Sequence, residues 1–154
     1  MTRPLFQIKP ARKQKHPIVL DGVLRWNTAQ KMGFLFLFGG VGYGLIEVIW
    51  RGRTHPSMVL TGGVCFSLIY GMNKWLHRHS LIVRCAASAT AITAVEFSVG
   101  IVVNRLLKLG VWDYSKQKFN LLGQICPLYT FFWFLHCIPL VFVLSRTSGA
   151  TEKK

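Results

Sequence analysis

Acidic side chains are scarce in this chain. Asp21, Glu47, Glu96, Asp113 and Glu152 stand against 19 Lys and Arg in 154 residues, and the net charge is +14. All charged residues together make up only 16% of the chain, where a soluble domain carries about a quarter. Catalytic signatures are also missing. No GxxxxGK[ST] phosphate loop occurs, which excludes an ATPase in this chain. No HExxH set, no serine–histidine arrangement and no CxxC pair occurs either, so no metal or other cofactor is expected. The four cysteines, Cys65, Cys85, Cys126 and Cys137, mostly sit in or beside apolar runs and read as small buried hydrophobes. His77 and His79 flank Arg78 in a short turn and read as a solvated or lipid-facing segment. No secretory signal opens the chain, because the first apolar run starts only near Met32.

Apolar residues are abundant, at 51%, and they are clustered. Four runs fall at about 32–50, 57–76, 81–107 and 127–144. Each approaches or exceeds the ~20 residues needed to cross a hydrocarbon core about 30 Å thick. The expected fold is therefore an all-α membrane protein with four transmembrane helices in a domain at 32–146. Residues 1–31 form a basic lead-in, broken by Pro4, Pro10 and Pro17, with a short interfacial helix at 18–28. Residues 147–154 form a polar tail. The basic residues flank the apolar runs, so the expected partner is a bilayer with anionic headgroups and not nucleic acid.

Four crossings put both termini on one side. That side carries thirteen Lys and Arg against six on the other, which by the positive-inside rule makes it cytoplasmic. Small residues line the expected helix seams: Gly40 and Gly44 in the first run, Gly63, Ser67 and Gly71 in the second, Gly100 in the third. Tyr43 and Glu47 share the stripe of Gly40 and Gly44, and Glu96 lies on the small-residue stripe of the third run. A carboxylate inside an apolar run is costly and needs a reason.

The longest polar stretch between runs is VWDYSKQKFNLLGQICP, Val111 to Pro127. Helical rise puts Glu47 ~4–5 Å below the interface under this stretch and Glu96 ~12 Å deeper than Asn104. The pattern predicts a polar cleft: Asp113, Tyr114, Lys116 and Asn120 at the mouth, Glu47 and Arg105 at the rim, Glu96 at the floor. Tyr43, Asn104 and Gln124 join the same candidate set for a ligand or proton site. A purely structural alternative stands beside it. Glu47 then pairs with Arg105 or Arg51, Glu96 is protonated and bonded to Thr93, Tyr43 or Tyr70, and Asp113 and Ser115 only cap the loop.

These residues carry a resemblance. Gly42-Tyr43…Glu47, then Glu96, then Trp112-Asp113-Tyr114-Ser115 followed by Phe119-Asn120-Leu121 and Gly123-Gln124-Ile125-Cys126 resemble the small bacterial membrane proteins called putative ABC-transporter permeases, or type IV. The resemblance covers about residues 33–145. Lys118 stands where that family usually has proline, and Gln124 where it has arginine; Lys116 or Lys118 are the nearby cations available to replace that charge. The resemblance implies a permease-like subunit of the bacterial cytoplasmic membrane, with its ATPase on a separate chain. Four spans are too few for a complete two-sided pathway, so a transporter would be a homo-oligomer or one subunit of several. Two other classes remain open: a non-catalytic membrane interaction or scaffold protein, for which the small-residue seams speak, and an intramembrane lipid-modifying enzyme using paired carboxylates. The missing catalytic sets weigh against an enzyme.

Overall fold

A computed structural model describes residues 27–148. Most of the basic lead-in, the interfacial helix expected at 18–28 (all but its last two residues) and most of the polar tail lie outside the described residues. Four long helices follow in order: α1 Thr28–Arg51, α2 Pro56–Trp75, α3 Leu81–Gly100 and α4 Pro127–Ser148. Among the described residues there is no strand, only an isolated antiparallel pairing of Leu121 with Ile125.

Local chemistry sets most of the helix ends. Asn27 caps α1 in a reciprocal box: its side chain accepts from the Gln30 amide at 2.8 Å, and the Gln30 side chain accepts from the Asn27 amide at 3.0 Å. The helix therefore starts four residues earlier than the apolar pattern alone predicts. It stops at Gly52, whose φ of 70° closes the last turn through a bond to the Val48 carbonyl. α2 opens with Pro56 at its first position and His55 as cap. Ser80 caps α3. Beyond Gly100, α3 continues as six residues of π-helix, Ile101–Leu106. The Leu107 and Leu109 amides reach back to the carbonyls of Val102 and Val103.

Three helical segments are long and apolar enough to cross a membrane: Thr28–Arg51, Leu81–Leu106 and Pro127–Ser145. Four such spans are expected from the sequence; α2 is the helix that falls outside this set, and it packs on all three others. Its buried positions include Thr61, Gly62, Gly63 and Asn73, residues chosen for closeness and hydrogen bonding and not for lipid contact. All four helices turn large apolar groups outward, such as Leu37, Leu60, Ile82 and Phe131, as a chain with lipid around it does.

Glycines set the α1–α2 crossing. A Cβ at Gly39 would lie 2.8 Å from the Gly62 carbonyl, and one at Gly62 would lie 2.8 Å from the Gly39 carbonyl. A Cβ at Gly40 would meet the Val59 carbonyl at 2.6 Å, one at Gly44 would touch the Val59 side chain at 3.2 Å, and one at Gly63 would meet the Phe36 ring at 2.8 Å. Gly39 and Gly62, the closest approach, were not singled out by the four-residue spacing. Two other positions differ from expectation. Gly71 is exposed, with open space where its Cβ would be, and Gly100 packs on the loop at Gln124 and Trp112 instead of on a neighbouring helix. Ser67 donates to the Gly63 carbonyl of its own helix at 2.9 Å.

Two apolar clusters fill the interior. Cys65, Ile69, Cys85, Ile92, Cys137, Val141 and Leu144 join α2, α3 and α4. Met58, Val103 and Trp112 join α2, the π-helix and the loop. All four cysteines are free and buried, as small hydrophobes. At the end of the bundle away from the loop, Arg84 donates to Asn73 at 2.9 Å and to Ser145 at 2.8 Å, which ties α3 to α2 and α4.

Replacing Gly62 by valine forces Tyr43 or the α1 backbone to move, so it is expected to destabilise the fold by about 1–3 kcal/mol. Gly71→Ala is expected to leave stability within ~0.5 kcal/mol, because nothing opposes the added methyl. Thermal unfolding of both variants in the same detergent distinguishes them.

Candidate functional site

The loop between α3 and α4 is built by side chains that replace regular secondary structure. Asn104, inside the π-helix, accepts from the Val111 amide at 2.6 Å and donates to the Gln124 side chain at 2.8 Å. Gln124 is buried and also donates to the Leu122 carbonyl at 3.0 Å, while the Trp112 indole donates to the Gln124 carbonyl at 2.9 Å. Asn120 donates to the carbonyls of Ser115 and Gln117 and accepts from the Gly123 amide at 2.9 Å. Gly123 has a φ of 71°, and Asp113 lies 3.1 Å from where a Cβ there would sit. Asp113 accepts from the Ser115 amide at 2.8 Å and from its hydroxyl at 3.0 Å. These two donors hold the Asp113 carboxyl below the ordinary aspartate range.

This loop is anchored to α1 through one arginine. Arg51 forms an ion pair with Glu47 one turn earlier and donates to the Val111 carbonyl at 3.0 Å. The second oxygen of Glu47 accepts from Thr54 at 2.8 Å. Of the two pairings left open by the sequence, Arg51 is therefore the partner of Glu47. Arg105 is exposed on the π-helix. Glu96 is 4% exposed and accepts from the Tyr43 hydroxyl at 2.7 Å and the Trp133 indole at 2.8 Å. Tyr43 and Trp133 are themselves stacked, with ring centroids 5.4 Å apart. Thr93 bonds Thr130 instead, at 3.0 Å.

Beside these groups lies a cavity of about 360 Å³. Glu47 and Arg51 line it, and so do Tyr43, Tyr114, Tyr129 and Trp133. Tyr114 stacks on Tyr129 with centroids 4.2 Å apart, and burial together with the charge of Glu96 raises its phenol above the ordinary tyrosine range. The walls of the space are thus mostly aromatic, with Ile46, His136 and one ion pair, which departs from the polar cleft expected from sequence. Asn104, Arg105, Asp113, Asn120 and Gln124 do not line it; apart from the exposed Arg105 they build the loop, and Glu96 stands behind the rings of Tyr43 and Trp133. Trp133, Tyr129 and Arg51 were not among the candidate residues. Aromatic residues in an apolar run look like lipid-facing bulk, and only their neighbours in space give them another role.

Residues 32–151 match the sequence model of a family described as putative ABC-transporter type IV. The chain belongs to that family. The match spans the bundle, the loop and every residue that lines the cavity. No curated protein and no solved structure matches the chain. Within this type IV family member, Gln124 acts as a neutral clamp between the π-helix and the loop, with its side-chain amide oxygen 2.6 Å from where a Cβ at Gly100 would lie. Among the described residues there is no group of His, Cys, Asp and Glu able to hold a metal ion.

Two outcomes follow for the loop. Asn104→Ala removes both anchors of the π-helix on the loop, so amide exchange across residues 111–124 is expected to accelerate about tenfold, at the ~1 kcal/mol scale of a lost hydrogen bond or above, while exchange in α2 stays unchanged. Because the Asp113 carboxyl is lowered in the folded chain, its contribution to loop order is present above the ordinary aspartate value of 3.8 and is lost as pH falls through the lower folded value. Exchange of the Ser115 amide, corrected for intrinsic rate, is expected to rise over that acid window, and Asp113→Asn is expected to flatten the profile.

Proposed function

We propose that the chain is a transport-associated, permease-like membrane subunit whose ligand site is the cavity between α1, α4 and the loop. Family membership supports the transport association, and the observation that carries the site is the half-open 360 Å³ space with an ion pair, Glu47 and Arg51, in its wall. Pockets for small molecules begin at about this size. A buried carboxylate behind the same wall, Glu96, is the kind of group that membrane proteins retain for ligand or proton traffic.

In this reading all four helices cross the bilayer. α2 returns beside α1 along a seam running from Val59 at Gly40 to Phe36 at Gly63, so both helices cover the same depth. α2 has less apolar character because Thr61, Gly62, Gly63 and Asn73 pack inward, while its Leu60, Val64 and Leu68 face outward. The side bearing the termini faces the cytoplasm of a bacterial cell, on the balance of thirteen against six Lys and Arg, and its basic residues meet anionic headgroups. The site residues are Tyr43, Glu47, Tyr114 and Glu96, joined by Arg51 and Trp133. Asn104, Asp113, Asn120 and Gln124 shape the loop that closes over them. The absence of a phosphate loop from the sequence makes an ATPase a separate chain, and the small bundle calls for further copies or subunits to complete a path.

Cross-linking in native membranes followed by purification of the full chain tests this. The expected result is a second chain bearing GxxxxGK[ST] and ATP hydrolysis by the assembly. Glu96→Gln is expected to lower that hydrolysis about tenfold without loss of assembly, since a hydrogen-bonded buried charge contributes about 1.5–3 kcal/mol. A preparation that contains this chain alone, with no ATPase, overturns the transport assignment. Unchanged hydrolysis in Glu96→Gln removes Glu96 from the site.

A further inference from the structure

The wall chemistry of the cavity is selective. Six aromatic side chains line it: Tyr43 and Trp50 from α1, Tyr114 from the loop, and Tyr129, Phe132 and Trp133 from α4. They are mutually ordered. Tyr43 stacks on Trp133 and Tyr114 on Tyr129, and Phe132 meets Tyr129 edge-on with centroids 5.9 Å apart. The faces of such rings carry negative potential, and several of them around one small space attract a cation that has shed its water. A quaternary ammonium suits this best, because it is large, weakly hydrated and has no hydrogen bond to lose.

The charges around the cavity point the same way. Glu47 has its counterion in Arg51, and this is the one ion pair among the described residues. Glu96 has none. Its two oxygens are served only by the Tyr43 hydroxyl and the Trp133 indole, the polar ends of two rings that line the cavity. An O–H or N–H that donates to a carboxylate shifts electron density into its ring, which strengthens the pull of that ring on a cation. When ionised, the carboxylate also acts through those rings with less screening than in water, since the surroundings are apolar. A buried carboxyl outside any ion pair thus touches the polar edges of two rings that line the cavity.

We propose that the cavity binds a small organic cation of the quaternary-ammonium class, held against Tyr43, Trp133, Tyr114 and Tyr129 with Glu96 as its counterion behind the rings. This rests on the reading of the cavity as a ligand site and names the class of ligand.

The test uses the full chain in nanodiscs of phosphatidylethanolamine and phosphatidylglycerol, which leave out choline headgroups that would compete. Tryptophan fluorescence follows titration with choline chloride and with tetramethylammonium chloride at constant ionic strength. Dimethylbutanol, the neutral carbon isostere of choline, is the control. Both cations are expected to give saturable changes, with the isostere weaker by about tenfold or more. Glu96→Gln and Tyr129→Leu are each expected to weaken cation binding about tenfold, and Tyr129→Phe to restore most of it. Thermal unfolding verifies that each variant is folded; if Tyr129→Leu is not, the isostere comparison and Glu96→Gln decide. No saturation by either cation in folded wild-type protein overturns the proposal. So does equal binding of the isostere, or wild-type affinity in folded Glu96→Gln. Cation binding by a chain that has no ATPase partner would leave this proposal standing and remove the transport assignment, and an ATPase partner without cation binding would do the reverse.

Discussion

The carboxylate of Glu96 is the group around which the bundle is arranged. A carboxylate that is 4% exposed in an apolar interior has to find its hydrogen bonds within the protein. It finds one on α1, from Tyr43, and one on α4, from Trp133, while itself standing on α3. A single residue thus sets the relative height of three helices. The fourth helix, α2, enters through Gly62, where a Cβ would lie 2.3 Å from the Cβ of Tyr43. The glycine lets the tyrosine backbone come close enough for the phenol to reach Glu96. Close approach and hydrogen bonding are therefore one constraint and not two.

The same rule of internal satisfaction builds the loop end. Arg51 answers Glu47 and, with its second arm, the Val111 carbonyl, so the ion pair also fastens the loop to α1. Asn104 and Gln124 do for the loop what a sheet ladder does elsewhere: they pair backbone and side-chain groups that lie beyond any regular element. The π-helical winding at Ile101–Leu106 places Asn104 for this, in keeping with the tendency of π-turns to occur where a helix serves a site. What remains between the loop, α1 and α4 is a space walled by rings, and its aromatic character comes from α4 as much as from the loop above it.

Much of the architecture was legible in the sequence because apolar clustering and punctuation are local signals. Pro56, Gly52 and Pro127 mark helix ends by backbone chemistry alone, and the four helices lie close to the runs read from composition. The early start of α1 at Thr28 depended on the Asn27–Gln30 box, which apolar counting overlooks. The fourth apolar span expected at α2 failed for a different reason: its sequence carries Thr61, Gly62, Gly63 and Asn73, which pack inward and lower its apolar character. The four-residue spacing of small residues selected Gly71, which lies in open space, and passed over Gly39 and Gly62, because spacing states which residues share a face but not where two helices cross.

The sequence by itself determined that this chain is helical and rich in apolar runs, that Glu47 and Glu96 lie within those runs, and that residues 32–151 carry the pattern of its family. These follow from composition and from neighbours along the chain. Only the tertiary structure decided what each carboxylate meets. Glu47 could have paired with either of two arginines and takes Arg51; Glu96 takes Tyr43 and Trp133, fifty-three residues before and thirty-seven residues after it. The physical reason is that a hydrogen-bond partner is chosen by distance in space, and helices brought together at Gly39 and Gly62 create distances that no local pattern contains.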